Sequence, residues 1–274
     1  MRLNRKTGKF TPQPPFNLPP LTPPAITTSK VLLVPYEPHH VLKYHTWMQD
    51  PALREATASE ALTLEKEYSN QVSWRKATDK LTFILCKPID RSFDGEDVVF
   101  VRSNGHYDSI EEMIGDVNFF LHEYEGNGEE ETEGDVVEDG VLKKKGLLTG
   151  EVDIMVADAD WRRKGIGRAA VRALLVYVTV NLGFILQEYV GTRQDASASL
   201  KNLMVKIGQR NEGSIALFKG LGFKQEGEVN YFGEVKLVLE LAELQTQSWW
   251  AAAMADYGEM PYGSMVEELR YNRG

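Results

Sequence analysis

The chain has 274 residues, 42% hydrophobic and 26% charged, which suits one large or two small domains and excludes a disordered or fibrous protein. No run reaches the roughly 20 apolar residues of a membrane-spanning helix, and the single cysteine, Cys86, excludes an internal disulfide and a cysteine-based zinc site. The net charge of −9 is local, because residues 123–139 hold nine acidic side chains and no basic one, leaving 31 acidic against 31 basic elsewhere. That balance gives no electrostatic sign of a nucleic-acid partner. With no secretory signal at 1–8, the expectation is a soluble cytoplasmic protein with neither a membrane nor a nucleic-acid partner.

Seven of the twelve prolines lie between Pro12 and Pro24, a density that excludes helix and central strand and favours extended polyproline. Residues 1–30 therefore read as a proline-rich arm, either a tether or the ligand of a proline-binding partner. A folded domain is expected over 31–241, opening with the apolar strand VLLVPY at 31–36. In 37–49, Val41, Leu42, His45 and Met48 recur at helical spacing. Thr63 then begins a capping pattern ahead of a second helix marked by Glu67, Tyr68, Val72 and Trp74. LTFILC (81–86) and MIGDVNFFL (113–121) read as strands, with an extended loop at 87–112 between them. The glycine-rich acidic stretch 126–146 is too polar to offset the entropy of ordering it and reads as a disordered excursion.

Strands follow at 148–157 and 203–207, helices at 167–182 and 212–220, and two further strands within 222–241 joined at 230–233. Insertions are placed at 87–112, 123–146 and 187–199, and 242–274 forms a C-terminal extension carrying Trp249 and Trp250. The order β-α-α-β-β-β-α-β-α-β-β indicates a mixed α/β domain. His39, His40 and His45 have no metal-ligand spacing, so surface or half-buried roles are expected and no metal.

Chemistry concentrates in GEVDIMVADADWRRKGIGRAAV, residues 150–171. Alternation puts Val152, Ile154 and Val156 on one strand face and the carboxylates of Glu151 and Asp153, with Met155, on the other. Three cations, Arg162, Arg163 and Lys164, then precede Gly165-Ile166-Gly167 and a long helix. The first amides of a helix lack intrahelical partners and its dipole is positive there, so glycines and cations at this point describe a pyrophosphate site. Gly165-x-Gly167-x-x-Ala170, with Glu188 about twenty residues on, formally matches a dinucleotide fingerprint and a nicotinamide-dependent oxidoreductase. That fingerprint needs its first glycine directly after the strand, whereas residues 158–164 intervene here.

Arg162-Arg163-Lys164-Gly165-Ile166-Gly167 resembles instead the acetyl-CoA motif of the GCN5-related N-acetyltransferase superfamily. Downstream, Asn211, Ser214, Phe218, Gly222 and Phe223 resemble that superfamily's second segment, while Asn211, Ser214 and Gly222 also suit a capped and terminated helix. Val34-Pro-Tyr36, Thr57-Ala-Ser-Glu60, Gly115-Asp-Val-Asn118 and Lys206-Ile-Gly-Gln209 look like the eukaryotic N-acetyltransferase nine family. The resemblance implies a GNAT-type, mostly antiparallel sheet flanked by helices, with a splayed central pair of parallel strands. It implies acetyl-CoA as cosubstrate, held along Met155, Val156 and Ala157, with its pyrophosphate on residues Arg162, Arg163, Lys164, Gly165, Ile166, Gly167 and Arg168. Asn211, Ser214 and Phe218 would line its far side.

The reaction needs an uncharged amine, so a base is required; Glu151, Asp153 and Glu60 are the candidates. Phe218 occupies the position often held by a proton-donating tyrosine and cannot donate. Tyr231 or another hydroxyl would replace it, or the thiolate would leave unassisted. Three functions follow: an N-acetyltransferase acting on a protein or peptide amine, by resemblance a tubulin-type N-terminus; a CoA-binding scaffold or weakly active pseudoenzyme; or the oxidoreductase.

Overall fold

The computed structural model describes residues 23–89, 100–125, 136–138, 141–191, 196–264 and 267. Within these, β1 (Ala25–Thr27) and β2 (Leu32–Pro35) lead to α1 (Val41–Trp47), α2 (Pro51–Ala56) and α3 (Leu64–Lys76). Next come β3 (Lys80–Cys86), β4 (Val101–Arg102), β5 (Met113–Glu123), β6 (Val136–Glu138) and β7 (Val141–Val156). α4 (Ile166–Val180), α5 (Leu182–Val190), β8 (Ala196–Gly208), α6 (Glu212–Lys219), β9 (Lys224–Gln225) and β10 (Glu234–Glu240) follow. The last described elements are α7 (Leu241–Leu244), α8 (Trp250–Asp256), β11 (Gly258–Met260) and β12 (Tyr262–Gly263).

The main sheet runs β11-β1-β2-β3-β5-β7-β8-β10-β9, with β6 pairing on β7. Its neighbouring strands are antiparallel except β7 and β8, which run parallel. A parallel pair needs a long crossover, and α4 and α5 provide it. This is the mixed, mostly antiparallel sheet that the sequence implied.

Strand periodicity divides the sheet into two unlike faces. Leu81, Phe83 and Leu85 stand in register with Phe119, Val117 and Gly115 of β5, and these with Val152, Ile154 and Val156 of β7. That face packs under α4, where Val171, Leu174, Leu175 and Val178 are buried, and Phe83 meets Tyr177 edge-on at 5.6 Å. The other face places Thr82, Asn118 and Asp153 in one row and Ile84, Asp116 and Met155 in the next. Val41, Trp47 and Leu53 of α1 and α2 pack with Ile84 and Met155 on this side. Gly115 lets β5 approach β7 closely, since a Cβ there would overlap the Met155 carbonyl oxygen.

Several boundaries differ from those read in the sequence. The sheet begins before residue 31, because Ala25 and Ile26 are fully buried in β1 and pair with β11, which lies beyond residue 241. Residues 1–22 of the proline-rich arm lie outside the described residues. The stretch 87–112 is not simply an extended loop, for β4 pairs with β12 and Asp108 is buried. In the acidic stretch, β6 pairs with β7 from Val141 onward, while 126–135 and 139–140 lie outside the described residues. α5 and β8 both extend into 187–199. α3 forms where Thr63 caps it through the Lys66 amide, but it buries Glu67 and Gln71 and leaves Tyr68 and Val72 exposed. No single described helix is long and apolar enough to cross a membrane.

Candidate active site

β7 and β8 stay paired only as far as Glu151 and Met204, yet β7 continues to Val156 and β8 to Gly208. Beyond that point β7 keeps β5 as partner and β8 keeps β10, so the two central strands part. A register shift at Leu148/Thr149 precedes the separation, as bulges increase local bend and twist. The backbone edge of residues 152–156 on the β8 side is therefore open to an extended ligand, which can add there as a strand would. Met155 and Val156 lie on this edge and Ala157 just past it.

At the end of the gap the chain bends sharply, with Arg163 at φ 59° and Gly165 at φ 83°, left-handed values that glycine adopts at little cost. The first intrahelical bond of α4 runs from the Ala169 amide to the Gly165 carbonyl at 3.0 Å. The amides of Ile166, Gly167 and Arg168 thus open the helix without partners inside it, suited to an anion. A Cβ on Gly167 would meet Leu217 at 3.1 Å and Ile154 and Val156 at 3.8 Å, so this glycine serves close packing of α4 on β7 and α6. Arg162 differs from the free phosphate-facing cation expected. Its Nε donates to the Val156 carbonyl at 2.8 Å and its Nη2 to the Ala157 carbonyl at 3.0 Å, bracing the end of β7. Lys30, which sequence reasoning left in the arm, brings its ammonium to the Lys164 carbonyl at 3.4 Å.

On the far side of the gap, Asn211 caps α6 by accepting from the Ser214 amide at 3.1 Å. Phe218 does not line the gap; it is 1% exposed and packs edge-on against Phe223 at 5.2 Å. Tyr231 is 96% exposed at the tip between β9 and β10, touching Phe232, and the structure brings it to none of the other candidates.

A cavity of about 190 Å³ opens beside α1 and α3, lined by Tyr36, Tyr44, Met48, Glu60, Glu67 and Trp74 with others. Glu60 stands at its exposed margin. Glu151 lies between His122 at 3.1 Å and Lys206 at 3.5 Å, an ion-paired position. Asp153 is open to water in surface terms, though crowded by surrounding groups. Desolvation and then the Glu151 charge push its carboxyl up to about 6, against the pull of Lys206; its contact with solvent moderates that rise.

Sequence reasoning missed the groups beneath this cavity. Asp116, 2% exposed, accepts from Asn118 Nδ2 at 2.6 Å through one oxygen. Five buried side-chain atoms here have no protein partner: Tyr36 OH, Gln71 Oε1, Thr82 Oγ1, Asp116 Oδ1 and Asn118 Oδ1. Their residues are neighbours: Gln71 donates to the Tyr36 carbonyl, the Tyr36 amide donates to the Thr82 carbonyl, and Thr82 faces Asn118 across the strands. The available signal was the Asp116-Val-Asn118 alternation, which puts two polar side chains on one face of an otherwise apolar strand.

A second buried acid has a different setting. Asp108 takes hydrogen bonds from His40 at 2.7 Å, Tyr262 at 2.7 Å and the Asn104 amide at 2.9 Å, and pairs with His39 at 3.1 Å. The ligand atoms of His39, His40 and Asp108 lie within 4.8 Å of one another, close enough for a metal ion. However, His40 Nδ1 accepts the Glu37 amide at 3.0 Å, which leaves the proton on Nε2, donated to Asp108. The group closes on itself as a clamp between the start of α1 and β12. His40 is fully buried, unlike the surface or half-buried placement expected for these histidines.

The acetyltransferase (GNAT) domain family model matches residues 30–224. An N-acetyltransferase 9-like protein of Dictyostelium discoideum is 37% identical over 218 residues, 80% of this chain and 85% of that protein. Similarity reaches 38% over 219 residues with an N-acetyltransferase 9-like protein of Schizosaccharomyces pombe (78% and 94% of the two chains). The alpha/beta-tubulin-N-acetyltransferase 9 of Homo sapiens is 35% identical over 236 residues, 85% of this chain and 90% of that one. Among solved structures, the Vibrio cholerae spermidine N-acetyltransferase in complex with CoA and spermine shares the fold at a TM-score of 0.50 and 12% identity, over 79% of this chain and 98% of that one. By sequence, strand order and the parted central strands, this chain belongs to the GNAT acetyltransferases and, within them, to the N-acetyltransferase 9 family.

Proposed function

We propose that the protein transfers an acetyl group from acetyl-CoA to the α-amino group of a protein N-terminus, with tubulin subunits as the first substrates to test. The observation that carries this reading is the meeting of two spaces at Asp153: the gap between β7 and β8 and the acidic face under α1 and α3. A thioester supplied along the open edge of residues 152–156 would present its carbonyl beside groups suited to an ammonium. In this reading the amides of Ile166, Gly167 and Arg168, with Lys30, Arg163 and Lys164, hold the pyrophosphate. Arg162 acts on the shape of the slot by fixing the carbonyls of Val156 and Ala157. Asn211 and Ser214 position α6 beside it. An amide of β7 near Val156 would donate to the developing oxyanion.

Glu60, Glu67 and Asp153 give the acceptor side a negative field that draws a cationic amine. Tyr231 and Phe232, 96% and 81% exposed, suit contact with a peptide better than proton donation. The human relative's name specifies alpha/beta-tubulin, which is why tubulin peptides come first. A cytoplasmic setting belongs to the same proposal, supported by the lone, buried and inert Cys86. The test is release of CoA thiol from acetyl-CoA with peptides whose N-termini are free or blocked and whose lysines are free or blocked. Turnover that depends on the free N-terminus is expected; turnover that follows lysine alone, or none with any peptide, overturns the reading.

A further inference from the structure

Resting on that reading, we propose that Asp116 accepts the proton the acceptor amine must lose, through water held by Thr82, Asn118, Gln71 and the Tyr36 hydroxyl under the acceptor cavity. Buried polar atoms normally find partners, and an unsatisfied one costs about 1–3 kcal/mol. Five among neighbouring residues of the sheet face, the end of β2 and α3 therefore describe a wet floor, with enough donors and acceptors for bridging water. Tyr36 belongs both to that floor and to the lining of the cavity, which links the two. Asp116 faces Met155, on the open edge of β7, and its neighbour Asn118 faces Asp153.

The surroundings favour Asp116 over the carboxylates nearer the surface. Glu151 is held between His122 and Lys206. Asp153 reaches bulk water, where its proton equilibrates without regard to the substrate. Asp116 has no ion pair among the described residues. The groups around it are Asn118 on its own strand, Asp153 and then Glu151 on β7, and Thr82 on β3. Tyr36 after β2, Tyr44 on α1 and Glu67 and Gln71 on α3 complete the set, with His45 beside Glu67 at 3.9 Å and Lys206 beyond Glu151. Burial pushes its carboxyl up to about 7, the hydrogen bond from Asn118 opposes this, and the Asp153 charge adds to it. A base poised there can accept a proton and release it again at working pH.

The step balances. One proton leaves the ammonium through water to the Asp116 carboxylate, giving a carboxylic acid and a free amine. The amine lone pair bonds the thioester carbon, and the carbon–sulfur bond breaks with its electrons on sulfur. The second nitrogen proton ends on the thiolate, and Asp116 returns the first to bulk water.

The test uses the full chain with Asp116→Asn, an N-terminal peptide and acetyl-CoA. The expected result is a kcat near pH 7 lower by about 10²–10⁴-fold, the usual worth of a positioned base. KM for acetyl-CoA stays within about threefold. The defect shrinks toward pH 9, where an α-amine of pKa about 8 deprotonates itself. Apart from turnover, Asp116→Asn raises Tm at pH 8, because a buried charge is gone. Thr82→Val, which keeps the carboxyl but removes a water partner, loses roughly tenfold with the same recovery at high pH. Wild-type turnover with an Asp116→Asn kcat within about threefold, or a defect equal at every pH, overturns this inference and leaves the proposed function standing. If Asp116→Asn does not fold, Thr82→Val at wild-type rate has the same consequence. A wild type that acetylates no free amine overturns both.

Discussion

Two buried aspartates, Asp108 in the clamp beside α1 and Asp116 under the cavity, titrate in opposite directions. Both are shielded from bulk solvent, at 0% and 2% exposure, so burial pushes both upward. At Asp108, hydrogen bonds from His39, His40 and Tyr262 more than reverse the effect and hold the carboxyl at about 2. At Asp116, one bond from Asn118 does not, and the carboxyl rises to about 7. Hydrogen-bond satisfaction, rather than depth, sets the direction in which each carboxyl is shifted.

The largest test of this contrast is Asp108→Ala, which leaves His40 and Tyr262 without their acceptor. A loss of about 3 kcal/mol or more in urea unfolding at pH 7 is expected; a loss under about 1 would remove the contrast. Next is acid. Because the Asp108 carboxyl titrates lower folded than unfolded, its stabilisation is complete above about pH 4 and is lost as pH falls toward 2, worth about 2 kcal/mol. Burial also lowers the His40 pKa, so the unfolded chain binds that proton first and stability already declines as pH drops through about 6.5. Asp108→Asn should flatten the lower part of the profile.

Asp116 should behave with the reverse sign. Its folded pKa lies above the unfolded value, so its contribution is full below about pH 4 and is lost as pH rises through 7. Asp116→Asn removes that decline, and its gain over wild type should widen from pH 5 to pH 8 by thermal melts. The smallest effect belongs to Glu151→Gln. Its partners are half exposed, so stability should move by less than about 0.5 kcal/mol and kcat by no more than about threefold. A collapse in kcat would shift the proton acceptor from Asp116 to Glu151.

The strand–turn–helix unit proposed to hold the cofactor was legible in sequence because its signals are local. Alternation in 152–156, cations and glycines at 162–167 and the apolar period of α4 all lie within one strand–turn–helix unit. Arg162 shows the limit: its position was readable, but its bonds to Val156 and Ala157 needed the bend at Arg163 and Gly165. The acceptor half was less legible. Glu67 and Gln71 look like solvent-facing residues, and Tyr68 and Val72 look like core, until α3 lies over a sheet face that already carries Asp116 and Asn118. Phe218 was assigned to the cofactor from a motif position, whereas its ring turns inward to Phe223.

By itself the sequence determined the periods of its strands and helices, the glycine turn before α4 and thereby the family, since each depends on residues within a few turns of one another. Only the tertiary structure decided where β7 stops pairing with β8, that β1 closes onto β11, and which carboxylates are wet, paired or buried. Those outcomes depend on contacts between segments far apart in the chain, and a carboxylate's pKa is set by neighbours that only the folded chain brings to it.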